Sequence, residues 1–83
     1  MLWREASEPT RAGFAVSRQL RRAVERNRVR RRLRAAYRAT REAAPARVAL
    51  VIVGRPAALR EPFEGLLAQL RGALAAIPGP RAA

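Results

Sequence analysis

Arg26-Asn27-Arg28-Val29-Arg30-Arg31-Arg32-Leu33-Arg34 decides how the chain is read. Two apolar residues interrupt the run, Val29 and Leu33, and they stand one helical turn apart. Extended outward, the stripe continues through Ala36, Tyr37 and Thr40, which predicts a helix from about Val24 to Ala43 with one narrow apolar face. Pro45 ends it, because the residue before a proline avoids the helical region. On a wheel of 100° per residue, Asn27, Arg28, Arg31, Arg34 and Arg38 point away from the stripe. Arg26 and Arg30 lie along one margin and Arg32 toward the other.

The flanks of this helix read as strands. Ala12 to Arg18 alternates, with Phe14 and Val16 on one face and Ala15 and Ser17 on the other. Gln19 to Arg22 connects it to the helix. Arg47 to Val53 is apolar on both faces and β-branched, which predicts a central strand buried on both sides and parallel to a neighbour. Met1 to Arg4 reads as the end of another strand, and Glu5 to Arg11 as a turn. A second helix starts near Pro62, with Phe63, Leu66, Leu67, Leu70, Leu74 and Ile77 along its core side; Pro78 stops it. The expected fold class is therefore α+β, a small sheet of two to three strands with two helices, in one domain over residues 1–77. Residues 78–83 are expected to form a disordered tail.

Charge sets the function class. The net charge is +12, all eighteen basic residues are arginine, and eleven of them fall between Arg18 and Arg41 against the single acid Glu25. Scattered charge on a solvated face would mix signs. Like charges four apart, such as Arg28 with Arg32 or Arg34 with Arg38, destabilise a helix that has no counter-charge. A polyanion supplies that counter-charge, and guanidinium forks match phosphate oxygens and stack on unpaired bases. RNA is favoured over DNA: there are no zipper heptads, and a helix bracketed by strands does not fit a helix-turn-helix. Arg4, Arg11, Arg60, Arg71 and Arg81 read as plain surface charge, and Trp3 either caps the sheet or meets RNA.

The residue types that are missing narrow the chemistry. Without Cys, His or Asp, and with six scattered glutamates, the chain offers no thiolate, histidine base or zinc cluster, and neither catalytic nor metal-binding residues are expected. The absence of Cys fits the cytoplasm. The longest apolar run, Val48 to Val53, is far too short to span a bilayer. The stripe of the basic helix contains Ala36 and Thr40 and is too narrow for a membrane-surface helix, so no membrane partner is expected, and no protein partner is evident.

The run Arg26 to Arg34 resembles the R-N-R-x-K/R-R-x-x-R signature of the bacterial ribonuclease P protein family. Gly13-Phe14-Ala15-Val16-Ser17-Arg18 resembles the strand that leads into that signature, and Val48 to Pro56 (VALVIVGRP) the strand that follows it. The resemblance covers about residues 11–77. It implies a βαβ unit with a left-handed crossover, a fold shared with a ribosomal protein domain. It implies a subunit of an endoribonuclease that removes the 5′ leader of precursor tRNA, with catalysis and the Mg2+ ions belonging to the catalytic RNA. The implied partners are that RNA and precursor tRNA. The RNA-binding residues implied are Arg26, Asn27, Arg28, Arg30, Arg31, Arg34 and Arg38. Phe14, Ser17, Arg18 and Tyr37 are the candidates for a leader-binding cleft between sheet and helix, with the core as the competing place for both rings. The family begins with a helix and a strand ahead of anything matched here, so the resemblance implies an N-terminally short domain. An arginine-rich RNA-binding module without a tRNA-processing role is the alternative, although a lone helix of that kind would need neither the strand at Val48 to Val53 nor the last helix.

Overall fold

The computed structural model describes residues 1–81. Strand β1 (Leu2–Glu5) and strand β2 (Arg11–Val16) lead into helix α1 (Ala23–Thr40); strand β3 (Val48–Gly54) and helix α2 (Phe63–Ala75) follow. Short 3₁₀ turns occupy Arg41–Ala43 and Pro56–Leu59. The sheet order is β1-β3-β2, so the strand latest in sequence lies in the middle. β3 runs antiparallel to β1 and parallel to β2, and α1 makes the crossover between the parallel pair.

α1 and α2 cover one face of the sheet. The core joins Val29, Leu33 and Ala36 of α1, Val48, Leu50 and Ile52 of β3, and Leu66, Leu70, Leu74 and Ile77 of the α2 region. The stripe that predicted α1 is the stripe that is buried, ending at Thr40. That hydroxyl is fully enclosed and donates to the Ala36 carbonyl at 2.8 Å. Helical hydrogen bonding stops there, and a 3₁₀ turn takes up the residues to Ala43 that periodicity assigns to the helix. Leu20, in the segment read as a connector, is also buried and belongs to the core.

Three expectations need correction. β3 is central but not buried on both faces: Val48, Leu50 and Ile52 point into the core, whereas Val51 and Val53 are each 39% exposed on the opposite side. Phe63 is 40% exposed instead of packing in the core, because it opens the helix a full turn before Leu66 and Leu70 reach α1. Residues 78–81 are tied back and do not form a loose tail. Arg81 pairs with Pro45 as a β-bridge, and its guanidinium donates to the carbonyls of Ala75 and Ile77 at 2.8 Å each. Gly79 makes the necessary turn at φ 127°, a backbone region open to glycine. Ala82 and Ala83, the rest of the expected tail, lie outside the described residues.

Candidate RNA interface

α1 carries the arginine comb, and the sheet fixes which way it faces. With Val29, Leu33 and Ala36 buried, Asn27, Arg28, Arg31, Arg34 and Arg38 are exposed, and Arg26 and Arg30 are half-buried at the margin. From Arg26 to Arg38 the comb spans about 18 Å along the helix axis. Val24, Asn27, Arg30, Arg31 and Arg34 line one shallow groove. The two ion pairs among the described residues are Arg11–Glu8 and Arg71–Glu42, so none of the comb arginines is paired with a carboxylate there. The comb presents unneutralised guanidinium groups to solvent, the electrostatic footprint of a phosphate-binding surface.

Arg32 is different. It lies at the margin facing the Pro56–Leu59 turn, and its guanidinium donates to the carbonyl of Ala58 at 2.5 Å and to that of Glu61. The helical wheel sets Arg32 on its own margin, but the sequence gives no signal for its partners, which lie 26 and 29 residues away.

The four cleft candidates fall into two groups. Phe14 and Tyr37 meet between the sheet and α1, edge to face at 6.0 Å and 72°, and both are half-buried against the core. Arg34 lies over the Phe14 ring with its guanidinium carbon 5.8 Å from the centroid, a cation–π contact that steadies one comb residue. Ser17 and Arg18 lie beyond the end of β2. The Ser17 N–H donates to the Gly54 carbonyl at 2.8 Å and its hydroxyl accepts from the Gln19 N–H at 3.2 Å. Arg18 is exposed.

A second surface is not legible in the sequence. On the sheet face opposite the helices, strand register aligns Arg4, Ala49 and Arg11 in one row, Leu2, Val51 and Gly13 in the next, and Val53 with Ala15 in a third. The result is a small apolar floor with two arginines at one end, their Cα atoms about 10 Å apart across three strands. The sequence carries no clue to it, since a strand apolar at every position cannot reveal by alternation that one face is open.

Comparisons with known proteins agree with this architecture. The sequence model of the family described as Ribonuclease P matches residues 1–77. The ribonuclease P protein component of Gluconacetobacter diazotrophicus is 42% identical over 74 residues, which cover 88% of this chain and 64% of that protein. That of Salinispora tropica is 42% identical over 77 residues, covering 93% of this chain and 57% of that protein. The chain thus spans less than two thirds of the length of these relatives. Among solved structures, the ribonuclease P protein of Thermotoga maritima superposes with a TM-score of 0.80 at 24% identity, covering 93% of this chain and 74% of that one. That likeness supports the fold: two helices on a three-stranded mixed sheet. With the family model spanning nearly the whole chain and the signature carried on the exposed face of α1, this chain belongs to the ribonuclease P protein family.

Proposed function

We propose that the chain is the protein subunit of ribonuclease P, binding the catalytic RNA through α1 and the 5′ leader of precursor tRNA elsewhere on its surface. The observation that carries this reading is the unneutralised comb on a helix whose other face is fixed in the core. Arg28, Arg31, Arg34 and Arg38 supply phosphate contacts, Arg26 and Arg30 extend them along the margin, and Asn27 adds a donor and an acceptor for a base edge or a 2′-hydroxyl. Hydrolysis in this reading is the work of the RNA subunit and its Mg2+ ions, and the chain acts in the cytoplasm. This chain contributes binding and placement, and no step passes through its side chains.

The open sheet face extends the proposal to the leader. Leu2, Val51 and Val53 offer apolar surface for unpaired bases, Arg4 offers a cation for the connecting phosphates, and Arg11 can add a second by exchanging its exposed partner Glu8 for a phosphate. Phe14 and Tyr37 act from the other side, by holding Arg34 and α1 in place. The test compares precursor tRNA with mature tRNA as ligands of the RNA–protein complex. Preference for the precursor, lost in a Val51→Glu variant that still binds the RNA subunit, supports the reading. Equal affinity for both ligands in the unaltered complex contradicts the leader assignment.

A further inference from the structure

Arg32 lies inside the arginine run yet is turned away from the comb. The turn at Pro56–Leu59 and the residues after it leave carbonyls that helical bonding does not use. Ala57 accepts from the N–H groups of both Arg60 and Glu61, and Arg55 accepts from Ala58, which leaves the carbonyls of Ala58 and Glu61 to Arg32. Carbonyls at the end of a helical turn need such a partner, and a guanidinium fork can serve two at once. Ala58 is buried in the core, and Pro62 immediately after Glu61 opens α2. A single side chain therefore pins α1 to the segment that leads from β3 into α2.

We infer that Arg32 is a positioning residue for RNA binding: it contacts no phosphate itself and holds the comb of α1 at a fixed attitude to the Pro56–Leu59 turn and α2. The inference rests on the proposed RNA-binding role of α1. Both terminal nitrogens of the fork are turned to carbonyls of its own chain, so the bidentate edge that would grip a phosphate is already engaged. Losing the clamp leaves the number of phosphate contacts unchanged. It adds the ordering of a looser helix to the cost of binding, which weakens affinity by about two- to tenfold.

The experiment measures affinity of the full chain for a bacterial ribonuclease P RNA as a function of salt, for the unaltered protein, Arg32→Met and Arg28→Met. Methionine keeps an unbranched apolar stem and removes the fork. Circular dichroism at the binding temperature checks that each variant is folded, and Arg32→Lys, which keeps one donor arm, serves where Arg32→Met is not. The expected result is weaker binding by Arg32→Met with the salt slope of the unaltered protein, partial recovery in Arg32→Lys, and a slope lower by about one in Arg28→Met. A slope reduced in Arg32→Met as in Arg28→Met would overturn the inference by making Arg32 a phosphate contact. Unchanged affinity in folded Arg32→Met would overturn it by making the clamp purely structural. If the unaltered protein does not bind the RNA, the proposed function fails instead, and that outcome is separate from both.

Discussion

A Cβ atom on Gly54 would lie 2.3 Å from Cγ1 of Val29 and 2.9 Å from Cδ1 of Leu33. The end of the central strand and the buried stripe of the arginine helix therefore meet with no room for a methyl group. This contact sets how closely α1 lies on the sheet. Gly54→Ala is expected to destabilise the fold by about 1–3 kcal/mol through overpacking. Val29→Ala in the same chain should relieve part of that cost, so the double variant loses less than the sum of the two singles. Denaturant titration of the four proteins checks this.

Thr10 ties the loop after β1 to the start of β3. Its hydroxyl donates to the Pro45 carbonyl at 2.5 Å and accepts from the Val48 N–H at 3.2 Å. Thr10→Val keeps the shape and leaves both backbone groups without that partner, at a cost of about 1–3 kcal/mol. Thr10→Ser should retain most of the stability. Thermal unfolding of the pair separates the hydroxyl from the methyl.

Glu42 and Arg71 form an exposed ion pair that links the turn after α1 to α2. The hydrogen bond from Arg71, helped by a backbone hydrogen bond, holds the Glu42 carboxyl below the ordinary glutamate value. A depressed carboxyl stabilises the fold above its unfolded-state pKa and loses that contribution as pH falls through its folded-state pKa. Solvent screening keeps the effect small. Glu42→Gln should therefore melt slightly below the unaltered protein at neutral pH, and the two melting temperatures should converge as the medium is acidified below the glutamate range. A gap independent of pH would assign the difference to packing.

The comb predicts a steep salt response. With about six to ten phosphates engaged, RNA affinity should fall about 10³–10⁵-fold between roughly 50 and 200 mM salt. Filter binding or fluorescence anisotropy at four salt concentrations is sufficient to test it, and a flat response would contradict phosphate recognition by α1.

The pattern that predicts α1 is strong because two signals coincide: Val29, Leu33 and Ala36 recur at helical spacing, and arginine fills every intervening position but Ala35. The parallel pairing of β3 followed from its uninterrupted apolar run. The same run hid the open face, because Val51 and Val53 are chemically the same as the buried Val48 and Ile52, and only the layer of helices decides which of them meets solvent. Phe63 misleads for a related reason: its spacing from Leu66 and Leu70 is helical, but it stands exposed at the start of α2, ahead of the leucines that join the core. The role of Arg32 depends on a partner 26 residues away, a distance over which local pattern carries no information. Phe14 shows the limit for site residues, since its side chain could serve a cleft or the core, and register with Ile52 places it on the helix side.

Reconstituted cleavage tests the central claim most directly. The chain is mixed with a bacterial ribonuclease P RNA and precursor tRNA at low Mg2+, beside the RNA alone, the protein alone and the Arg28→Ala/Arg31→Ala variant. The account predicts faster removal of the 5′ leader with the unaltered chain, no cleavage by the protein alone, and loss of the stimulation in the variant. RNA binding without any stimulation by the unaltered chain would contradict the subunit role and leave an arginine-rich RNA-binding module in its place.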